Sequence, residues 1–296
     1  GGQMSMLTEP LLFGISRTLN LQRKNLAVHP CDNTQEAEAE AFDKMMFYNA
    51  DAVFYIPSLQ KEEKYSTSHI REVLARYPDY PPVIAVYGGT DIPDFFQVRF
   101  RDYDIGKQAA LRQLACGCRK FGIVISRYSN FMNREMARGY RETLLNNGIP
   151  ACNIAELSIW PDGEYSESLA ELKEVEGLWI CHYVALLLYA QPLLACLGDT
   201  GKLHVDCITG IETENMYQGL QPFSKSGKMT ETFFHWFGSI VIYKYSLAEV
   251  GAKAAEIALQ LLLPENTKRI PKITYIKATP ALFSKDERHP PAFQLG

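Results

Sequence analysis

Short apolar segments alternate with amphipathic segments along most of the chain. Residues 83–87 and 121–126 are apolar runs with the length of a buried β-strand. Residues 130–147 and 247–263 instead repeat their apolar positions with the period of a helix. Strands that alternate with helices predict parallel sheets with helices on both faces. The strands are too many for one sheet of ordinary size, so we expect two lobes with one sheet each.

The boundaries of the elements follow from this pattern and from the residues that start and stop helices. Thr34 with Glu36 and Glu38 favours the start of a helix, and Gly148 with Pro150 favours the end of one. We predict helices at 9–22, 34–49, 68–76, 105–117, 130–147, 165–173, 184–197 and 247–263. We predict strands at 26–29, 52–57, 83–87, 97–100, 121–126, 155–160, 177–181, 205–210, 239–242 and 273–277.

Composition and charge exclude some functions. The 296 residues are 47% hydrophobic and 22% charged, which is typical of a globular protein. The formal net charge is −4, and the basic clusters are short, such as Arg138 with Arg141. Proteins that bind nucleic acid usually carry a basic stripe. We therefore expect that this chain alone does not bind DNA.

The cysteines and the absence of known motifs narrow the picture further. Seven cysteines at irregular spacing fit a reducing compartment, and Cys116-Gly117-Cys118 has no second ligand pair for zinc. The sequence has no leader-like start and no apolar run that would span a membrane. It also has no phosphate-binding loop and no nucleophile elbow. We expect a cytoplasmic protein that is not an enzyme, with no metal, no cofactor and no membrane partner.

Three stretches carry a resemblance to a known family. Residues 102–109 place an aspartate at the start of a helix, and residues 138–144 read RGYRETL and are followed by GIP. Residues 245–256 read YSLAEVGAKAAE. These motifs, in this order and spacing, resemble the effector-binding domain of the lac/gal repressor (LacI/GalR) family of transcription regulators. The resemblance covers nearly the whole chain.

The resemblance implies a type I periplasmic-binding-protein fold, in which two Rossmann-like lobes are joined by a hinge of three crossovers. The lobes would be residues 1–103 with 243–272, and residues 104–242 with 273–296. A small ligand would bind between them. Regulators of this family are usually homodimers, and they contact DNA through a helix-turn-helix head that we do not find in this chain. The strand that normally precedes the first helix is also missing or reduced to residues 1–6.

Family positions that contact the ligand can be carried over one at a time. Tyr165 falls where the family often stacks an aromatic ring on its ligand, and Trp160 at the end of a strand is a second candidate. Met136 replaces an arginine of the family, and it is flanked by Arg134 and Arg138. A packed aromatic at Tyr165 and solvated surface arginines are the alternative interpretations.

Other positions change the chemistry of the predicted pocket. Cys181 and His182 stand where the family has an asparagine and an aspartate, and Glu212 stands for an aspartate. Tyr87 replaces an aspartate, and Tyr245 replaces a glutamine. A lone histidine such as His182 is more often structural than a ligand contact. The scaffold is kept and the pocket is altered, which predicts a small polar metabolite as the ligand. A sugar or sugar derivative, such as a modified sugar or an oligosaccharide fragment, is the first candidate, and a nucleoside is the alternative.

Two functions fit this pattern. The first is the ligand-sensing domain of a bacterial transcription regulator, whose hinge angle controls DNA binding. The alternative is an extracytoplasmic sugar-binding protein that serves a transporter, which would share the fold. The cysteine content favours the regulator.

Overall fold

The computed structural model describes residues 5–32, 34–57, 66–126, 131–159, 170–180, 203–209, 238–263 and 270–284. The chain divides into two compact units. The first unit is Gly1–Asp102, Arg127–Arg134 and Ser246–Lys277. The second is Tyr103–Ser126, Glu135–Tyr245 and Ala278–Gly296. Each unit is built on its own sheet.

The described helices and strands follow the predicted alternation. The helices are α1 Ser5–Leu21, α2 Gln35–Phe47, α3 Ser68–Leu74, α4 Asp102–Ala115, α5 Phe131–Asn146 and α6 Leu247–Leu261. The strands are β1 Val53–Tyr55, β2 Val83–Val86, β3 Phe96–Arg99, β4 Phe121–Ser126, β5 Ile154–Ile159, β6 Gly177–Ile180, β7 His204–Thr209, β8 Ser239–Lys244, β9 Ile273–Tyr275 and β10 Thr279–Ser284. Among the described helices, none is long and apolar enough to cross a membrane.

Most predicted elements are confirmed within a few residues, and two differ. Thr34 caps α2 as predicted, since its Oγ1 accepts a hydrogen bond from the Ala37 N–H at 3.1 Å. The predicted strand at 26–29 is wrong: this stretch is irregular, and Val28 is 53% exposed. Strand β10 was not predicted. Most of the predicted helix at 165–173 and all of the helix at 184–197 lie outside the described residues.

The first unit holds a four-stranded parallel sheet in the order β1-β2-β3-β9. Val83 and Ala85 share one core with the aromatic side chains Phe42, Tyr55 and Phe95, under α2 and α3. Alternation along β2 turns its other residues to the opposite face, and α6 packs against β2 and β3. Strand β9 was assigned from the sequence to the second lobe. It pairs with β3 instead, so that boundary moves to residue 277.

The second unit holds a six-stranded sheet in the order β10-β8-β7-β6-β4-β5. Strands β4 to β8 pair in parallel, and β10 runs antiparallel to β8. On the face that α5 covers, the indole of Trp179 lies beside the rings of Tyr140 and Tyr243, with centroids 6.3 and 6.4 Å apart. This aromatic group forms the centre of the second core.

Glycines let helix backbones touch in both units. A Cβ on Gly14 of α1 would overlap the carbonyl oxygen of Ala248 in α6, and a Cβ on Gly251 would overlap the carbonyl oxygen of Leu11. In the second unit, Gly106 of α4 and Gly139 of α5 meet the facing helix in the same way. Each unit therefore contains one pair of helices that cross on two glycines, closer than any side chain would allow.

A buried ion pair lies at the centre of the second unit. Arg112 of α4 donates from Nε to both carboxylate oxygens of Asp206 in β7, at 2.9 and 3.1 Å, and from Nη1 to Ser239 at 2.8 Å. Gln113 donates to the same carboxylate at 2.6 Å and accepts a hydrogen bond from Tyr140. Asp206 is fully buried, and burial raises the pKa of its carboxyl while Arg112 opposes that shift. Every partner comes from α4, α5 or the sheet, so the network fixes both helices on the strands.

The glycine crossing of α1 and α6 predicts a large effect for a single added methyl. Gly14→Ala should destabilise the chain by about 2 kcal/mol, because overpacking against a backbone carbonyl cannot be relieved by a rotamer change. Ser16→Ala on the same helix is the control and should change stability by less than about 0.5 kcal/mol. Urea unfolding followed by circular dichroism measures both. Equal stability of the two variants would contradict the crossing.

The buried pair predicts a strong asymmetry between breaking and replacing it. Asp206→Asn leaves the Arg112 charge buried without its counter-ion and should destabilise the chain by about 3–5 kcal/mol. Replacing both groups, with Arg112→Met and Asp206→Leu together, should recover much of that loss. The control is Glu156→Gln, which breaks the exposed pair with Arg141 and should shift stability by under about 1 kcal/mol. Thermal unfolding measures all three proteins. A double variant, Arg112→Met with Asp206→Leu, that is no more stable than Asp206→Asn would contradict this asymmetry.

Candidate functional site

The parallel strands of the first unit all end at one edge of their sheet. In open α/β sheets, ligands bind beyond the carboxyl ends of the strands. The residues at this edge are Pro57, Tyr87–Gly89, Arg99, Phe131 and Tyr275, and we call this set the first-sheet edge. Phe131 reaches it as the first residue of α5.

The turn after β2 is shaped by two residues with left-handed backbone. Tyr87 has a φ of 76° and Gly89 a φ of 67°. The Tyr87 N–H continues the ladder to the Val98 carbonyl at 3.0 Å, and the ring packs edge-on against Phe100 with centroids 6.5 Å apart. A positive φ is uncommon for a tyrosine and costs about 1–2 kcal/mol. Strained backbone of this kind is often found at binding sites.

Arg99 lies across the first-sheet edge between two aromatic rings. Its guanidinium carbon is 5.3 Å from the centroid of the Phe131 ring and 5.7 Å from the centroid of the Tyr275 ring. The guanidinium of Arg101 stands over the same Tyr275 ring at 4.9 Å. The buried Nε of Arg99 has no hydrogen-bond acceptor in the described part of the chain. The edge therefore presents a cation held by aromatic faces.

Two of the predicted contacts lie at or near this edge. Tyr87 is part of it, half-buried in the turn after β2. Arg134 lies one helical turn after Phe131 on α5, so the two side chains share a helix face. Burial lowers the pKa of the Arg134 guanidinium from its usual value. The side chain is partly exposed, and its contact with a ligand stays a prediction.

Arg138 is engaged in the second unit. It donates to both oxygens of Glu135 at 2.9 and 2.7 Å, and to Glu142 at 3.2 Å. Its guanidinium also lies 4.7 Å from the centroid of the Tyr103 ring. The hydrogen bonds that Arg138 donates to Glu135 raise the pKa of Arg138 above its usual value. This placement favours a role in the surface of α5 over contact with a ligand.

Met136 and Tyr245 are buried in the second unit. Met136 is 0% exposed, and its backbone carbonyl faces Gly106 at the crossing of α4 and α5. Tyr245 is 8% exposed in the segment after β8. A ligand could reach the Met136 side chain only by opening this packing, so its placement favours a structural role.

The remaining predicted contacts lie outside the described residues. They are Trp160, Tyr165, Cys181, His182 and Glu212. Trp160 and Cys181 directly follow β5 and β6, while Glu212 comes shortly after β7. Their roles stay predictions.

Sequence reasoning missed Arg99, Phe131 and Tyr275. One signal was available for Arg99, which ends the apolar strand β3 and is followed by Phe100. A charged residue at the carboxyl end of a buried parallel strand stands where such sheets bind ligands. Nothing local marks Phe131 and Tyr275, because they reach Arg99 from distant parts of the chain.

Comparison with known proteins identifies the fold. No family model and no curated protein matches the sequence. Solved structures do match, among them a LacI family transcriptional regulator from Enterococcus faecium with bound ribose, at a TM-score of 0.64 and 14% identity over 95% of both chains. A periplasmic binding protein/LacI transcriptional regulator from Alkaliphilus metalliredigens, complexed with D-xylulofuranose, matches at a TM-score of 0.64 and 10% identity over 92% of this chain and 91% of that one.

A third match is the transcription regulator CcpA of Lactococcus lactis, with a TM-score of 0.64 and 16% identity over 95% of this chain and 94% of that one. At such low identity the likeness establishes the fold. The chain has the two-lobe α/β fold of type I periplasmic binding proteins, as the sequence motifs implied.

The packing of the first-sheet edge predicts that Gly89 is sensitive to substitution. A Cβ on Gly89 would lie 3.1 Å from the Phe131 ring and 3.4 Å from Cδ of Arg99. Gly89→Ala should therefore destabilise the chain by about 1–3 kcal/mol, from backbone strain and from displacement of both side chains.

Gly117→Ala is a matched control for this variant. Gly117 also has a positive φ, of 88°, but a Cβ there would meet nothing within 4 Å. The control carries the backbone strain without the displaced neighbours. Thermal unfolding should place Gly89→Ala below Gly117→Ala. Equal unfolding temperatures would show that the edge is not tightly packed.

Proposed function

We propose that this chain is the ligand-sensing domain of a bacterial transcription regulator of the lac/gal repressor type. The observation that carries the proposal is the match to such regulators over nearly the full length of both chains. The ordered sequence motifs support it independently. Two of the matched proteins hold a pentose, ribose in one and D-xylulofuranose in the other. We therefore propose a sugar or sugar derivative as the ligand of this chain.

The ligand would bind between the two lobes and favour one hinge angle over another. A ligand shifts such an equilibrium only as far as its affinities for the two states differ, with about 1.4 kcal/mol for each tenfold difference. In a homodimer this shift would change the distance between DNA-binding heads supplied by another segment of the protein. The spacing of half-sites on DNA would convert that distance into affinity. Such a regulator acts beside DNA, in the cytoplasm, and performs no catalysis.

The residues proposed for binding come from both sheets. From the first unit these are Tyr87 and Arg134 beside the first-sheet edge. From the second unit they are the five candidates that follow its strands: Trp160, Tyr165, Cys181, His182 and Glu212. Aromatic rings offer faces to the apolar side of a sugar ring, and Glu212 and His182 offer hydrogen bonds to its hydroxyls.

A transporter's sugar-binding protein is the second candidate. One matched structure carries both descriptions, periplasmic binding protein and transcriptional regulator, because the two classes share this fold. The seven cysteines favour the regulator, since free thiols are more common in reducing compartments. The coding sequence upstream of Gly1 separates the two: a DNA-binding motif supports the regulator, and a secretion signal supports the transporter.

Ligand-induced stabilisation tests the proposed function. A sugar present at 100 times its Kd should stabilise the folded chain by about 2.7 kcal/mol, which appears as a higher unfolding temperature. Pentoses, hexoses, disaccharides and their acidic derivatives form the panel, with amino acids and nucleosides as the comparison set. Calorimetric titration of each stabilising compound confirms direct binding. Stabilisation by amino acids or nucleosides alone would contradict the proposal.

A further inference from the structure

We infer that Arg99 binds an anionic group of the ligand, so that the ligand is an acidic sugar with a carboxylate or a phosphate. This inference rests on the proposed function, because it takes the first-sheet edge as part of the sugar site. It goes beyond that function by naming the chemical class of the ligand and a residue that selects it.

The guanidinium of Arg99 is held in a fixed position at the carboxyl end of β3. Arg99 is the last residue of β3, and its side chain is held between the rings of Phe131 and Tyr275. Gly89 packs against the aliphatic part of the same side chain, since a Cβ there would lie 3.4 Å from Cδ. A donor that is already fixed in place loses little entropy when a ligand binds. The geometry thus preorganises a cation where this fold binds its ligands.

Among the described residues, the guanidinium of Arg99 has no counter-ion. In the described part of the chain, Arg99 makes no ion pair and no hydrogen bond through its guanidinium, and its Nε is buried without an acceptor. Other arginines of the chain are paired: Arg112 with Asp206, and Arg141 with Glu156. Buried polar groups without a partner are rare and unfavourable. An anion supplied by the ligand would provide the missing partner.

Arg99 shares its aromatic neighbours with a second arginine. The guanidinium of Arg101 lies over the Tyr275 ring. Arg134 follows Phe131 by one helical turn in α5. Two arginines, Arg99 and Arg101, therefore lie over the Tyr275 ring. Burial lowers the pKa of the Arg134 guanidinium from its usual value. The positive charge of Arg99, whose Nε has no acceptor in the described part of the chain, favours an anion over a neutral molecule.

The shape of the guanidinium group matches an anionic ligand better than a neutral one. Guanidinium presents a rigid fork of N–H groups that fits two oxygens of a carboxylate or a phosphate. Sugar hydroxyls are neutral and would leave the charge uncompensated. The Phe131 and Tyr275 rings beside the fork would contact the apolar face of the sugar ring. An acidic monosaccharide combines both features.

Calorimetric titration with matched acidic and neutral sugars tests the inference. The pairs are D-glucuronate with D-glucose, D-galacturonate with D-galactose, and ribose 5-phosphate with ribose. We expect an acidic member to bind at least about ten times more tightly than its neutral partner, since hydrogen bonds to charged groups contribute about 10–100-fold. The pair that shows the difference tells whether the anion is a carboxylate or a phosphate.

Variants then assign the difference to Arg99. Arg99→Gln should weaken the binding of the acidic sugar by about 10–100-fold and leave the affinity for the neutral sugar unchanged. Arg99→Lys keeps the charge without the fork and should fall between the two. Arg141→Gln, which removes an exposed arginine of the second unit, is the control and should bind like the original chain.

Folding of the variant is a separate measurement. Because the described contacts of Arg99 are with aromatic rings and Gly89 rather than with an acceptor, and methionine can keep much of that packing, Arg99→Met should unfold within a few degrees of the original chain. The acidic sugar should raise the unfolding temperature of the original chain but not that of the variant. A much lower unfolding temperature for Arg99→Met without ligand would show a structural role and overturn the inference.

The outcomes of the titrations are distinguishable. Equal binding of neutral and acidic sugars, unaffected by Arg99→Gln, overturns the acidic ligand while the sensing of sugars stands. Failure of every sugar to bind, acidic or neutral, overturns the proposed function and the inference with it.

Discussion

Parallel strands can be joined only by chain that crosses a face of the sheet, and this constraint shapes both units of the molecule. The crossing helices cover the faces, so the strands are buried and their carboxyl ends gather at one edge. The helices must also lie close together to cover a narrow sheet. Gly14 and Gly251 in the first unit, and Gly106 and Gly139 in the second, make that approach possible. What remains accessible in such a unit is the edge, where open sheets of this kind bind their ligands.

The same residue type serves opposite purposes in the two sheets. Arg112 is buried with Asp206, Gln113 and Ser239 around it, so its charge is compensated within the protein. Arg99 is held by aromatic faces, which attract a cation but carry no net negative charge. The first arginine ties helices to strands. The second makes no ion pair among the described residues, and its position at the strand ends is consistent with the proposed binding of a ligand.

Sequence alone predicts the alternation of strands and helices well, because periodicity and caps are local properties. Thr34 and the apolar run of β4 are examples, and the structure confirms both. The prediction of a strand at 26–29 was wrong because a short apolar run forms a strand only when a neighbouring strand accepts its hydrogen bonds. The candidate site was predicted less well. Tyr87 could be placed from its strand, whereas the burial of Met136 depends on the crossing of α4 and α5, which no local pattern reveals.

The exchange at Tyr87 bears on the charge of the ligand. The resemblance to the lac/gal repressor family implies an aspartate at that position, and a carboxylate there could accept hydrogen bonds from neutral sugar hydroxyls. Tyrosine removes that negative charge from the first-sheet edge, and the neighbouring strand adds the positive charge of Arg99. Both changes act in the same direction, since an acidic ligand would be repelled by the aspartate and attracted by the arginine. An edge with tyrosine in place of that carboxylate, and with an Arg99 Nε that has no acceptor in the described part of the chain, is suited to a ligand that brings the acceptor with it.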